Sequence, residues 1–226
     1  MSELKYVQGV FKEELKNRFL CLVEVKGKDT LCYIPSSCRL SNFVDLTGKE
    51  VLLTPNSSPK TRTEYAVYAL RIRGQFILLN MSQANRLIET NIRNRRFSYL
   101  GKRVTVRKEF CVENYKSDLY IEDTQTAVEI KSILSFDKMA TFPTVYSQRA
   151  IDQLTKLSCL LGMGYKVCYI FVSLNPRVKE VKINEEIVEY YKLFTECINK
   201  GMISKGYTIK LQDTQPIIHS ELRVIT

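Results

Sequence analysis

Histidine is nearly missing: His219 is the only one in 226 residues. A histidine-rich zinc centre, or acyl transfer built on a histidine base, therefore has almost no raw material. His219 itself, close to the C-terminus, is expected to have a surface or packing role. Paired cysteines are missing too. The seven present (Cys21, Cys32, Cys38, Cys111, Cys159, Cys168 and Cys197) are odd in number, scattered, and never spaced Cys-x-x-Cys. Several lie in apolar runs such as 167–172, where a reduced thiol acts as a small hydrophobe. A reducing compartment is expected, not a secreted disulfide framework. No apolar run approaches membrane-spanning length, and the first residues, Met1-Ser2-Glu3-Leu4-Lys5-Tyr6, carry no signal-peptide core. The expectation is a soluble cytoplasmic protein without a membrane partner. A glycine-rich phosphate loop and a Gly-x-Ser-x-Gly elbow are also absent, and Gly162-Met163-Gly164 is too short to stand for the first. A small-molecule enzyme finds little support.

Acidic residues are the scarcer charge. Thirty-four Lys and Arg face 24 Asp and Glu, for a net charge of +10. Such a balance suggests a polyanionic partner, with nucleic acid as the default; by itself it would also suit an anionic membrane surface. With 45% hydrophobic and 26% charged residues the composition is that of a globular protein. The length suits one large domain or two small ones.

The pattern favours two, divided as 1–81 and 82–226. Residues 10–80 read as β-rich: a strand from Phe19 to Val25, a turn at 26–29, a return strand from Thr30 to Ile34, and another over 50–54. A loop at 55–64 and a hairpin over 65–80 about Gly74 follow. Five or so short strands point to a small barrel of the oligonucleotide-binding (OB) type. Lys60 and Arg62 in the loop, with Arg71 and Arg73 at the hairpin turn, could hold phosphates beside the faces of Tyr65 and Tyr68. The plainer reading is solubilising charge and packed tyrosines.

From Ser82 the pattern changes. A helix over 82–92 with Ser82 as N-cap carries the stripe Ala84, Leu87, Ile88 and Ile92, followed by the basic cluster Arg93, Arg95 and Arg96. Next come a strand over 103–111, a hairpin over 117–131 and a helix over 147–161. A buried parallel strand covers 167–174. A last helix is expected to be capped by Asn184, with Ile187, Tyr191, Phe194 and Ile198 inward. Residues 207–211 read as an edge strand and 213–226 as a loosely tied tail.

The 117–131 hairpin holds the chemistry. Asp118 lies near the start of its first strand, and Glu129 and Lys131 near the end of the second, so antiparallel pairing brings them together. Glu129 and Lys131 are two apart and share a face of the pleat. Two carboxylates and an ammonium suit a hard divalent cation, with the lysine beside an attacking water or a phosphate oxygen. The plainer reading is an ordinary surface ion pair. The set looks like the Asp…Glu-x-Lys signature of restriction-endonuclease-like, or PD-(D/E)XK, nucleases, with Ser117 at the nominal proline. The order helix-strand-strand-strand-helix-strand from Ser82 is that fold's core order. The expected class is thus mixed α+β: an OB-like barrel, then a restriction-endonuclease-like α/β domain with a mixed central sheet.

Nearly the whole chain also resembles the sugar fermentation stimulation protein (SfsA) family. The resemblance rests on Asn17-Arg18-Phe19-Leu20, Asn85-Arg86-Leu87-Ile88-Glu89, Ser117-Asp118-Leu119-Tyr120, Val128-Glu129-Ile130-Lys131-Ser132, and Phe142-Pro143 ahead of Ser147-Gln148-Arg149-Ala150. It implies an OB-like domain, a PD-(D/E)XK domain and DNA binding. Asp118, Glu129 and Lys131 would be catalytic. Asp118, Glu129 and the Ile130 carbonyl would hold Mg2+ or Mn2+, with Glu89 completing or bridging a second site. Arg18, Arg86, Gln148 and Arg149 would join the nucleic-acid contacts. The chain departs from the family pattern at Lys116, where an Arg is usual, over 35–40, and at Gln153, which replaces a His. Two functions follow: a metal-dependent nuclease, or a non-catalytic, regulatory DNA-binding protein with a relic site. The oligomeric state is open, a homodimer included.

Overall fold

The computed structural model describes residues 6–17, 19–35, 39–42, 44–56, 62–213 and 215–226. Contacts divide the chain into two compact units, Met1–Gln83 with Lys210–Ile217, and Ala84–Ile209 with Ile218–Thr226.

The first unit is built on β1 (Val7–Glu14), β2 (Leu20–Val25), β3 (Lys28–Tyr33), β4 (Glu50–Pro55), β5 (Tyr65–Ile72) and β6 (Gln75–Leu78). Alternation sets the inner face: Cys21, Val23 and Val25 of β2 are buried, while the residues between them are only half-buried. The strands run β3-β2-β1-β4-β5-β6, and a parallel pairing of Cys32 with Tyr65 and Tyr33 with Ala66 joins β3 to β5. The sheet thereby closes on itself, burying Phe11, Val23, Cys32, Leu53 and Val67. This is the expected OB barrel, with one strand more than the sequence suggested. β1 escapes a period-two search because its buried positions are Gly9 and Phe11, Val10 between them faces out, and the charged Lys12, Glu13 and Glu14 follow where its register with β2 shifts.

The remaining elements are α1 (Ser82–Asn91), β7 (Val106–Val112), β8 (Tyr115–Ile121), β9 (Thr126–Ile133), β10 (Met139–Phe142), α2 (Gln148–Gly162), β11 (Lys166–Ser173), β12 (Glu180–Ile183), α3 (Val188–Asn199), β13 (Ile203–Gln212), β14 (Gln215–Glu221) and β15 (Arg223–Ile225). A mixed six-stranded sheet has the order β14-β13-β11-β9-β8-β7, and a small sheet the order β10-β12-β15. β11 is parallel to both β9 and β13, and Val167 to Val172 are all buried, as its unbroken apolar run requires. The Ser147 hydroxyl caps α2 by accepting from the Ala150 N–H. α2 and α3 pack together over Tyr169 and Phe171, burying Ile151, Leu154, Leu157, Tyr190, Phe194 and Cys197.

Four expectations need correction. β7 begins at Val106, because Arg103 turns its Nε to the Ile92 carbonyl at 2.8 Å. α3 begins at Val188: Asn184 closes a local turn, accepting from the Glu186 N–H at 3.1 Å and donating to the Pro143 carbonyl at 3.1 Å. The buried stripe of α3 is therefore Tyr190, Phe194 and Cys197, with Ile187, Tyr191 and Ile198 only partly covered. Residues 207–211 belong to β13, which lies between β11 and β14 and is no edge. The stretch 213–226 is not a loose tail, since it forms β14 and then β15 in a parallel pairing with β12. β10, β12 and β15 have only four, four and three residues, too few for a period to show.

Candidate active site

β9 keeps its parallel partner β11 along its whole length, from Thr126 beside Lys166 to Ile133 beside Ser173. On its other side the antiparallel ladder to β8 covers only Ile121–Thr126, Tyr120–Ala127 and Leu119–Val128. β7 continues along β8 to Val112 and Tyr115. The β7–β8 hairpin thus peels away from β9 as one piece. The first residues past the parting are Asp118 and Glu129.

The side chain of Asp118 replaces the lost ladder. Its Oδ2 accepts from the backbone N–H of Ile130 at 2.8 Å, and its Oδ1 from Asn85 Nδ2 of α1 at 3.1 Å. Burial, and next the Glu129 carboxylate, push Asp118 up to about 6; the Ile130 amide, Lys131 and Asn85 oppose that rise without cancelling it. Glu129 is 3% exposed. Its Oε1 accepts from Lys131 Nζ at 2.6 Å and Gln153 Nε2 at 3.2 Å, and its Oε2 accepts from the Tyr115 hydroxyl. Burial raises Tyr115 far above its ordinary range, with Glu129 adding to the effect, so that hydroxyl stays protonated and donates. Lys131 Nζ also donates to Gln153 Oε1 at 2.7 Å and lies 6.0 Å from the Tyr169 ring centre. The result is a carboxylate pair with one cation, walled by α2 and β11.

Asp118, Glu129 and Lys131 are therefore brought together. The peptide of Ile130 joins them through its amide. Glu89 pairs with Lys108 Nζ at 2.7 Å, and no group of three or more His, Cys, Asp or Glu placed to hold a metal occurs among the described residues. Three participants went unassigned from the sequence. Asn85 precedes Glu89 by one helical turn and so shares its face. Gln153 stands one turn after Arg149, where the sequence signals only a departure from the family's His. Tyr115 lies just outside the hairpin bounds drawn from the sequence.

Arg18 and Lys60 lie outside the described residues. Arg62 and Arg73 are exposed in the first unit, Arg73 in the β5–β6 turn with φ 49°. Arg71 is engaged by Glu50 Oε2 at 2.7 Å and stands 5.5 Å over the Phe76 ring. Tyr65 is half-buried. Tyr68, at 5% exposure, offers no face to a base; that expectation is corrected, because β5 bulges at Tyr68 opposite Leu52 and Leu53 and its ring is covered with Tyr6 against it. Arg86, Arg95, Arg96 and Arg149 are exposed. Arg93 is also exposed and caps the Val104 carbonyl at 3.0 Å. Gln148 accepts from the Tyr146 hydroxyl at 2.7 Å and donates to Asp152 at 3.0 Å. No helix among the described residues is long and apolar enough to cross a membrane.

Comparison with known proteins gives a consistent result. The family model described as the sugar fermentation stimulation protein RE domain matches residues 82–215, and the model of the SfsA N-terminal OB domain matches residues 15–79. A sugar fermentation stimulation protein homolog of Methanobrevibacter smithii is 24% identical over 213 residues, covering 88% of each chain. One from Desulforamulus reducens is 28% identical over 170 residues, covering 74% of this chain and 70% of its own. Among solved structures, Pyrococcus furiosus SfsA in complex with Ca2+ superposes with a TM-score of 0.83 at 20% identity, covering 100% of this chain and 98% of that one.

Proposed function

The chain belongs to the SfsA family, and on that footing we propose that it binds nucleic acid, foremost DNA, and hydrolyses phosphodiester bonds with a divalent cation. The observation that carries this is the meeting of Asp118, Glu129 and Lys131 where β8 parts from β9. The order α1, β7–β9 and, after the short β10, α2 and the parallel strand β11 supports this reading, since it resembles the core order expected of a PD-(D/E)XK nuclease.

The residues fit a hard cation. Two oxygen-donor side chains approach closely enough for one to raise the other's pKa, a charge imbalance that a cation would relieve. Asp118 and Glu129 would hold it, with the carbonyl of Ile130 as the third oxygen. When bound, Mg2+ or Mn2+ supplies Lewis acidity, easing loss of a proton from water and offsetting charge on the phosphate. The other tasks fall to the chain itself. The Ile130 amide and Asn85 orient Asp118, and Tyr115 and Gln153 orient Glu129. Lys131, tethered at two oxygens, is placed to align the attacking water or to meet the charge that develops on the phosphate. The relative of Pyrococcus furiosus in complex with Ca2+ supports the cation's place in this reading. The net charge of +10 supports a polyanionic substrate.

One observation favours a second reading, a DNA-binding protein with a relic site. Glu129 is already met by three donors, a closed network that needs no metal. The two separate in one assay: end-labelled single- and double-stranded DNA, and RNA, incubated with Mg2+, Mn2+ or EDTA. The wild type is compared with Glu129→Ala and Lys131→Ala purified identically. Metal-dependent cutting lost in both variants supports hydrolysis here. Cutting equal in all three proteins refutes it, and salt-sensitive binding without cutting favours the second reading.

A further inference from the structure

The ammonium of Lys131 already does for the two carboxylates what a metal ion would do. Its Nζ donates to Glu129 Oε1 at 2.6 Å, and its charge also reaches Asp118, where it works against the rise in pKa. The two oxygens of Glu129 differ in access. Oε2 is met by the hydroxyl of Tyr115, a residue 3% exposed, whereas Oε1 is met by Lys131, whose side chain is 19% exposed. The oxygen nearer to solvent is thus the one the ammonium holds. Gln153 fixes this arrangement, since its Nε2 donates to the same Oε1 at 3.2 Å and its Oε1 accepts from Lys131 Nζ at 2.7 Å.

Charge decides what an entering cation meets. With both carboxylates ionised, Asp118, Glu129 and Lys131 together carry one negative charge. A divalent cation turns that into one positive charge, beside a carboxylate so buried that water screens little. An ammonium and a metal ion sharing Oε1 would lie only about 4 Å apart, given their ordinary distances to a carboxylate oxygen. Both conflicts end if the ammonium moves to an anion that arrives with the cation. A phosphodiester brings the single negative charge that restores neutrality. Lysine suits the exchange, because its flexible stem carries a compact charge with three rotatable donors.

Resting on the cation-dependent reading above, we propose that Lys131 is a built-in competitor of the divalent cation. The cation binds the free protein weakly, and binds tightly once a nucleic-acid phosphate draws the ammonium off Glu129. Cation and nucleic acid therefore bind cooperatively, each raising the affinity of the other by the same factor. The closed network around Glu129 is then the resting state of a working site.

The test measures Mn2+ binding to the full chain by electron paramagnetic resonance of the free ion, with and without a short phosphorothioate DNA strand that resists cutting. Glu129→Ala with the strand gives the blank for Mn2+ held by the strand itself. In the wild type the strand should tighten Mn2+ binding about tenfold or more. Lys131→Met should tighten strand-free binding by about tenfold and shrink the effect of the strand. Arg149→Gln removes an equal but exposed charge one turn from Gln153 and should change strand-free binding by less than about twofold. A readout that needs no variant is nitrogen-15 NMR of the lysine ammonium groups in the wild type, where the Lys131 signal should move when Mg2+ and the strand are added together. A strand effect equally large in Lys131→Met, equal tightening by Lys131→Met and Arg149→Gln, or an unmoved Lys131 signal with Mg2+ bound overturns the proposal and leaves the cation site standing. No Mn2+ binding above the blank in any of the proteins overturns the cation-dependent reading, and the proposal with it.

Discussion

Replacing Asp118 by asparagine should make this protein more stable while disabling the proposed site. Burial and Glu129 raise its pKa from 3.8 to about 6, a shift of about two units at about 1.4 kcal/mol each, so ionised Asp118 opposes folding by roughly 3 kcal/mol near neutrality. Asp118→Asn removes the charge. The replacement amide can still accept from the Ile130 N–H through its oxygen, but its NH2 meets the NH2 of Asn85, which forfeits about 1 kcal/mol. The net gain is about 2 kcal/mol, or a rise in Tm of about 4–8 °C for a chain of this size. The sign with pH follows from the raised folded value. The wild type retains its full relative stability below about 3.8 and loses it as pH rises through about 6. The variant's advantage should therefore appear as pH rises from 4 to 7, and below pH 4, where only the lost Asn85 contact remains, the variant should melt slightly lower than wild type. The assay is scanning fluorimetry in EDTA across that range, repeated with Mg2+, which should raise the wild-type Tm and leave the variant's unmoved. A variant that melts lower than wild type at pH 7.5, or that keeps the same advantage at pH 4 as at pH 7.5, would refute the reasoning.

Gln153→Ala should cost about 1–2 kcal/mol in chemical denaturation, because it strips partners from both Lys131 and Glu129. If the chain cuts nucleic acid, the same change should lower kcat more than it raises KM. Phe194→Ala empties a fully buried site against Tyr169, Phe171 and Tyr190 and should cost about 3–5 kcal/mol by urea titration. Gly206→Ala should lower stability by about 1–3 kcal/mol, since its methyl collides with the Leu222 backbone, whereas an exposed Gly162→Ala control, with nothing within 4 Å of the added carbon, should not.

Much of this protein could be read from neighbouring residues alone. The stripe Ile151, Leu154 and Leu157 marks α2, and the unbroken run 167–172 marks a strand buried on both faces. The spacing of Glu129 and Lys131 places both on one side of a pleat. These are properties of a few adjacent residues, and a period of 3.6 or 2 carries them wherever the chain goes. What depends on distant partners did not show. β15 has three residues and exists because β12 offers it a parallel ladder. α3 starts late because Asn184 finds the carbonyl of Pro143.

The site divides in the same way. Sequence spacing names Asp118, Glu129 and Lys131 as companions. Only the folded chain parts β8 from β9 at Leu119–Val128, so that Asp118 must bond the Ile130 amide with its own side chain. Asn85 arrives from α1 and Gln153 from α2, elements far apart along the chain. The raised pKa of Asp118 is likewise a product of burial, since desolvation exists only once surrounding segments have excluded water. Composition and local period determined the elements and the reactive residues. Tertiary structure decided their partners and their charge states, because those depend on which distant groups come to lie within a few ångströms.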